Sequence, residues 1–256
     1  MNVTEVTEVQ DRGPAAYIAE FIGTLLLVFF VTAVVSLYVT VPSRLNPNPF
    51  IDFSVVGLVH VFLLFGLIQT LAVISGAHFN PAVTGAMAAL RQISLIDSAI
   101  YIVAQFAGGV AGALLTKALL LDEGKAVNYG APAVSSRLDG AILPGMVVEG
   151  LGTFFLVWVI FGVAVNPRAA KDWAAFAIGC ALGMGVMVFG PLTGASFNPA
   201  RAFGPALVSG DFGGADTFLL VYVLAPVIGA LVAGFAYFNL VIAPGKRGVG
   251  GVEPVG

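Results

Sequence analysis

The chain has 256 residues, of which 59% are hydrophobic and only 10% are charged, and its formal net charge is −3. Because a soluble domain carries about 25% charged residues, this composition indicates a membrane protein. The small negative charge provides no basic face for nucleic acid. The single cysteine, Cys180, excludes an internal disulfide and a cysteine-based metal cluster. We therefore expect neither a metal nor a cofactor.

Six apolar segments are long enough to cross the roughly 30 Å of hydrocarbon in a bilayer, which takes about 20 helical residues. Residues 1–14, which precede them, are polar and lack the basic start and apolar run of a secretory signal, so we predict a disordered N-terminal tail. Residues 242–256 form the predicted C-terminal tail. The six predicted spans are residues 15–39, 53–74, 96–120, 144–165, 173–192 and 216–241.

Two shorter apolar stretches begin with the same triplet and are too short to span. The sequence reads SGAHFNPAVTG from residue 75 and TGASFNPARAF from residue 193. Asn is favoured as a helix N-cap and Pro at the first helical position, so each triplet predicts the start of a short helix. The triplets are Asn80, Pro81, Ala82 and Asn198, Pro199, Ala200.

The two halves of the chain resemble each other beyond the triplets. AEFIGTLLLVFF from residue 19 matches VEGLGTFFLVWV from residue 148, which aligns Glu20 with Glu149. Each half holds three spans, so the second half must enter the membrane from the opposite side. The predicted fold is an all-α membrane protein, with six transmembrane helices and two half-helices in an inverted repeat. The channel domain is residues 15–241, with repeats at about 15–120 and 144–241.

The inverted repeat brings the two short helices together from opposite faces of the membrane. Each helix N-terminus carries roughly half a positive charge, so their meeting point repels cations. A water molecule that accepts hydrogen bonds from both Asn80 and Asn198 turns its own hydrogens away from the centre, which interrupts a proton wire. The pattern therefore predicts a passive channel that excludes ions and protons.

Two buried carboxylates and a histidine accompany the triplets. Glu20 and Glu149 are interpreted as braces for the broken backbone at each triplet, and their two-fold repetition favours this over a proton relay. For His78 the sequence leaves two roles open, namely bracing its loop and lining the inner mouth of the pore. A secondary transporter would need a coupling-ion site beyond these carboxylates. The sequence shows no nucleophile–base pair and no phosphate-binding loop, so we do not expect an enzyme.

The segments SGAHFNPAV, GPLTGASFNPARAFGPAL and AQFAGG, together with the repeated glutamates, resemble the aquaporin (major intrinsic protein) family over about residues 15–241. The resemblance implies a homotetramer in the lipid bilayer with one pore per subunit, and water and small neutral solutes as the molecules that pass. It also implies a narrow outer constriction of four residues. In this chain these residues are His60, Val186, Ala195 and Arg201.

The constriction is most similar to that of the plant tonoplast-type members. Val186 and Ala195 are small, so we expect an opening wider than that of a water-only channel, with His60 and Arg201 supplying hydrogen-bond donors. The implied function is passage of water, with ammonia, hydrogen peroxide or other small neutral solutes as further candidates. The alternative is a glycerol or small polyol facilitator, although the constriction lacks an aromatic pair. Loop 121–143 also lacks the histidine that tonoplast-type ammonia channels use.

The location of the protein is predicted from its basic residues and its short termini. Loops on the N-terminal side of the membrane carry slightly more Lys and Arg than those on the other side, which favours both termini in the cytoplasm. The short basic C-terminal tail fits a plasma (inner) membrane.

Overall fold

Six long apolar helices dominate the computed structural model, which describes residues 12–40 and 50–246. Each is long and apolar enough to cross a membrane, and every boundary lies within two residues of its prediction. Most of the predicted tails, residues 1–14 and 242–256, lie outside the described residues. The first to sixth spans are Pro14–Leu37, Phe53–Ser75, Leu95–Leu119, Ile142–Val165, Ala174–Thr193 and Ala215–Ile242.

The two predicted half-helices are present, and each begins at its triplet. The first is Pro81–Ala89 and the second is Pro199–Ser209. The Asn80 Oδ1 accepts from the backbone N–H of Ala82 at 2.9 Å, and the Asn198 Oδ1 accepts from that of Ala200 at 3.0 Å. These bonds satisfy N–H groups that a helix start leaves without partners. The predicted fold of six spans and two half-helices is confirmed.

Several small elements were not predicted. A two-residue antiparallel pair joins Val39–Thr40 to Phe50–Ile51, with Val39 opposite Ile51. Three π-helical stretches widen the ends of the fourth and sixth spans, namely Phe161–Val165, Phe218–Leu224 and Phe238–Ile242. They extend the α-helical segments Ile142–Ile160 and Ala225–Tyr237. The other short helices are Leu121–Lys125, Asn128–Gly130, Ser136–Leu138, Ala215–Thr217 and Ala243–Lys246.

Glycines at matching places in the two halves let spans touch backbone to backbone. A Cβ on Gly108 in the third span would meet the carbonyl oxygen of Phe21 in the first span. At the matching place in the second half, a Cβ on Gly229 would meet the carbonyl oxygen of Gly150. Small residues allow this close approach in lipid, where hydrophobic burial gives no drive for helices to associate. The same crossing is therefore built twice.

Large apolar side chains cover the outside of the helix bundle. Leu95 in the third span, Leu143 in the fourth and Val188 in the fifth are all more than half exposed. In water such a surface would be unfavourable, whereas in a bilayer it faces acyl chains. The core between the spans surrounds the two loops that lead into the half-helices. Those loops carry the candidate site.

Candidate functional site

The two half-helices are joined at their N-termini by a reciprocal pair of hydrogen bonds. The Asn80 Nδ2 donates to the carbonyl oxygen of Phe197 at 2.8 Å, and the Asn198 Nδ2 donates to that of Phe79 at 2.8 Å. Each amide thus uses one hydrogen to hold the opposite loop, and its other hydrogen has no acceptor among the described residues. Sequence reasoning placed the amide hydrogens in the pore and missed this cross-connection. Both asparagines line a cavity of about 40 Å³ inside the bundle, called the inner cavity below.

Glu20 holds the first loop from inside the first span. Its Oε1 accepts from the Ser75 hydroxyl at 2.7 Å and from the His78 N–H at 2.9 Å. Its Oε2 accepts from the Phe79 N–H at 2.6 Å and from the Gln105 Nε2 at 2.8 Å. A buried carboxylate is stable only when such donors replace water. The geometry has the form of the brace inferred from the sequence.

Glu149 holds the second loop, with one donor fewer than Glu20 has among the described residues. Its Oε1 accepts from the Thr193 hydroxyl at 2.6 Å and from the Ser196 N–H at 3.0 Å, and its Oε2 accepts from the Phe197 N–H at 2.7 Å. The equivalent of Gln105 in the second half is Pro226, which has no side-chain donor. The two braces are therefore similar but not identical.

Left-handed backbone in both loops explains why braces are needed. Ala77 and Phe79 have φ of 54° and 48°, and their counterparts Ala195 and Phe197 have φ of 45° and 51°. A residue with a side chain held in this region costs on the order of 1–3 kcal/mol and persists only where the surroundings determine it. The glutamates supply that constraint at four N–H groups in the two loops.

A tyrosine fastens the start of each loop, and sequence reasoning missed this pair. The Tyr101 hydroxyl donates to the carbonyl oxygen of Ser75 at 2.7 Å, and the Tyr222 hydroxyl donates to that of Thr193 at 2.9 Å. The spacing of 121 residues between the tyrosines equals that between the matched glycines Gly108 and Gly229. Extending the repeat alignment by two helical turns would have found them.

Two cavities lie end to end along the bundle, and two of the predicted constriction residues line both. The inner cavity has a volume of about 40 Å³ and includes His78 and both asparagines in its wall. The outer cavity has a volume of about 70 Å³ and includes Val186. His60 and Arg201 border both cavities, so the narrowing between them lies at these two side chains.

Ala195, the fourth residue of the predicted constriction, is placed differently. It is buried and belongs to neither cavity wall, whereas its neighbours Gly194 and Ser196 line the outer and inner cavities respectively. The backbone at Ala195 thus lies at the level of the narrowing, while the small side chain packs behind it. Its size still matters, since a larger side chain would have no space.

Arg201 is held at the narrowing by a loop carbonyl. The side chain is 5% exposed, and its Nη1 donates to the carbonyl oxygen of Gly130 at 2.9 Å. Its Nε finds no hydrogen-bond partner among the residues that the structure describes. A buried donor without a partner is unfavourable unless a passing molecule accepts from it. Gly130 could not have been identified from sequence, because it lies 71 positions away in an irregular loop.

His60 presents an acceptor rather than the donor expected from sequence. Its Nδ1 lies 2.8 Å from the carbonyl oxygen of Val56. Since a carbonyl can only accept, Nδ1 must carry the hydrogen, and in the neutral ring Nε2 is then an acceptor. The narrowing therefore combines the donors of Arg201 with an acceptor on His60.

His78 takes part in both roles that the sequence left open. Its backbone N–H donates to Glu20, the residue lies in the wall of the inner cavity, and its Nδ1 lies 3.1 Å from the Thr84 hydroxyl. No group of three or more His, Cys, Asp or Glu side chains able to hold a metal occurs among the described residues.

A bundle of six spans with two half-helices meeting inside it defines a class of multi-pass integral membrane protein with an inverted repeat. Its fold matches a solved aquaglyceroporin of Plasmodium falciparum with a TM-score of 0.72, covering 91% of this chain and 98% of that one at 23% identity. At this identity the likeness shows the fold alone.

The sequence comparisons give the family. The family model named Major intrinsic protein matches residues 8–237. Nodulin-26 of Glycine max is 38% identical over 222 residues, covering 86% of this chain and 75% of that protein. The probable aquaporin TIP-type RB7-5A of Nicotiana tabacum is 37% identical over 232 residues, covering 89% and 87%. Aquaporin TIP2-3 of Arabidopsis thaliana is 37% identical with the same coverage. The chain belongs to the major intrinsic protein family.

Proposed function

We propose that the protein is a passive membrane channel for water. The observation that carries this proposal is the head-to-head meeting of two half-helix N-termini, whose Asn80 and Asn198 amides each retain one hydrogen in a cavity wall. At about 10–15 Å³ per water, the 40 Å³ inner cavity has room for about three molecules in a file. A file this short, turned at its centre by fixed donors, passes water and interrupts proton transfer.

The saturated carboxylates support a channel rather than an ion-coupled transporter. Glu20 and Glu149 are buried, and each accepts at least three hydrogen bonds from its loop. A carboxylate that carries a coupling ion must exchange partners during each cycle, and such exchange would release a strained loop. The two carboxylates are thus structural, and the transport we propose is passive.

The narrowing supports a solute range wider than water alone. An acceptor on His60 and donors on Arg201 can bind a small molecule that both donates and accepts, as ammonia and hydrogen peroxide do. Val186, at the edge of the outer cavity, adds little bulk. A glycerol facilitator, the alternative, would need a pair of aromatic side chains against the carbon backbone, and the four predicted constriction residues include no Phe, Tyr or Trp. We therefore propose water, ammonia and hydrogen peroxide as the molecules that pass.

Stopped-flow light scattering on proteoliposomes tests the proposal. We expect osmotic water permeability several-fold above that of empty vesicles, together with uptake of ammonia and hydrogen peroxide and slow uptake of glycerol. A water permeability equal to that of empty vesicles would contradict the channel. Fast glycerol uptake would favour the alternative.

A tryptophan at the outer cavity tests where selection occurs. Val186 is 1% exposed within the bundle, whereas Val188 on the same span is 58% exposed on its outside. We expect Val186→Trp to block hydrogen peroxide and to reduce water flux, because the indole must occupy the outer cavity. Val188→Trp, the matched control, should leave both fluxes unchanged. Equal effects of the two variants would rule out the assigned narrowing.

We also propose a homotetramer in a plasma (inner) membrane with both termini in the cytoplasm. Six spans put the two termini on one side, and Arg91 and Arg168 lie in loops on that side. Protease accessibility of terminal tags in right-side-out vesicles tests the orientation. Cross-linking in native membranes and fluorescence imaging test the tetramer and the location.

A further inference from the structure

A buried chain of hydrogen bonds leads from Glu20 to the ring of His78. The Gln105 Nε2 lies 2.8 Å from the Glu20 Oε2 and 2.9 Å from the Thr84 Oγ1. The Thr84 Oγ1 lies 3.1 Å from the His78 Nδ1. Glu20, Thr84 and Gln105 are fully buried, so protein groups rather than bulk water must satisfy their polar atoms. The brace of the first loop therefore continues to a residue in the wall of the inner cavity.

The direction of these hydrogen bonds follows from Glu20. The Glu20 Oε2 already accepts from the Phe79 N–H, so the side of the Gln105 amide that faces this acceptor must be the NH₂ group. The same NH₂ donates its second hydrogen to the Thr84 Oγ1. The opposite orientation would place the Gln105 Oε1 against the carboxylate, oxygen to oxygen. The Oε1 instead has no partner among the described residues.

The hydroxyl hydrogen of Thr84 then decides the state of the histidine. Thr32 and Thr153 each donate to a carbonyl oxygen four positions earlier, but the Thr84 hydroxyl makes no such bond among the described residues. The His78 Nδ1 is the acceptor within its reach. A buried hydroxyl hydrogen left unbound costs about 1–3 kcal/mol. Thr84 therefore donates to Nδ1, and the neutral ring carries its hydrogen on Nε2.

The second half of the chain lacks this arrangement at all three positions. The residues corresponding to His78, Thr84 and Gln105 are Ser196, Ala202 and Pro226. The other histidine, His60, is held with its hydrogen on Nδ1. The two histidines thus show opposite polarity, an acceptor at the outer narrowing and a donor in the inner cavity.

We propose that His78, which lies in the wall of the inner cavity, is a specificity-determining residue that Glu20, Gln105 and Thr84 fix as a hydrogen-bond donor through Nε2. Water can accept from its Nε2–H, whereas a hydronium ion offers only hydrogens and is not bound. The inner cavity then excludes protons at a second place besides the asparagines. This role rests on the proposed function as a water channel, but the state of the ring does not.

The first experiment reads the ring directly. The chain has only two histidines, so solid-state NMR of ¹⁵N-histidine protein in lipid bilayers resolves both rings, and His60→Gln assigns them. We expect a neutral His78 protonated at Nε2 and a neutral His60 protonated at Nδ1. A His78 protonated at Nδ1, or at both nitrogens, would overturn the proposal. Proteoliposomes with no water flux would overturn only the proposed channel function and not the state of the His78 ring.

Variants test the chain of hydrogen bonds. Thr84→Val removes the donor while keeping the shape, so His78 should lose its single Nε2–H state and proton permeability should rise several-fold at nearly unchanged water flux. Thr84→Ser should restore both properties. Thr32→Val removes an equally buried hydroxyl outside the network and should change neither. Gln105→Leu interrupts the same chain of hydrogen bonds and replaces Thr84→Val if that variant does not fold. An unchanged His78 spectrum in the folded variant would refute the role of this chain.

Discussion

At the scale of single residues, buried acceptors facing backbone N–H groups hold the site together. Glu149 illustrates this, because two backbone donors and one hydroxyl converge on its carboxylate. The carboxylate matches this set of donors because both of its oxygens only accept. The same matching decides the orientation of the Gln105 amide and the state of His78.

We expect Glu149→Gln to lower the free energy of unfolding by about 1–3 kcal/mol, because the new NH₂ group must face at least one donor. Thermal unfolding in detergent, followed by circular dichroism, measures the change. The control is Asp139→Asn, which removes a carboxylate from an exposed loop residue and should leave the midpoint unchanged. Equal midpoints for Glu149→Gln and the unchanged protein would show that the brace is dispensable.

The positions of the candidate site are easier to predict from sequence than the hydrogen bonds that their side chains make. Asn80 and Asn198 were predictable as caps because capping depends on neighbours two positions away. The acceptor role of His60 depends on which nitrogen meets the Val56 carbonyl, and a pattern of residue types does not contain this. The partner of Arg201 lies in the connection 121–141, whose helices of three to five residues are too short to give a periodicity in the sequence.

At the scale of elements, each loop is fitted to a glycine of a neighbouring span. A Cβ on Gly23 in the first span would collide with the ring of Phe79, and one on Gly152 in the fourth span would collide with that of Phe197. The two glycines therefore leave the space that the rings of Phe79 and Phe197 occupy. The alignment of the halves showed the glycines, but only the folded loops show which rings fill the space.

We expect Gly23→Ala to destabilise the protein by about 1–3 kcal/mol, as overpacking of a filled core does. The control is Gly66→Ala on the second span, where a Cβ meets nothing within 4 Å. The double variant Gly23→Ala with Phe79→Leu should recover part of the lost stability, because the smaller leucine leaves room for the new Cβ. Thermal unfolding of the three variants measures this, and equal midpoints for Gly23→Ala and Gly66→Ala would contradict it.

The spans themselves were predictable for a simple physical reason. A bilayer requires about 20 apolar residues per crossing, so composition alone marks each boundary closely. The π-helical stretches and the strand pair Val39–Thr40 with Phe50–Ile51 were not predictable, because they depend on local packing rather than on length or hydropathy.

At the scale of the whole molecule, the two halves are joined through the bonds between Asn80 and Phe197 and between Asn198 and Phe79. Each asparagine caps its own helix and holds the loop of the other half. The site therefore belongs to neither half alone.

We expect Asn80→Ala and Asn198→Ala each to cost about 1–3 kcal/mol, because each leaves a buried carbonyl without its donor. The double variant should cost measurably less than the sum, since the two bonds support one another. As a control, Asp52→Ala removes the cap of the second span, and its effect should add to that of Asn80→Ala. Strict additivity of the two asparagine variants would show that the halves are held elsewhere.

The reciprocal bonds also set an order of events during biosynthesis. When the first three spans have left the ribosome, the Asn80 amide has no acceptor, because Phe197 lies 117 positions further along the chain. The loop of the nascent first half can already be held by Glu20 and Tyr101, but translation of the fifth span must finish before the bonds between the two halves can form. The two halves are therefore joined late in synthesis, when the last third of the chain arrives.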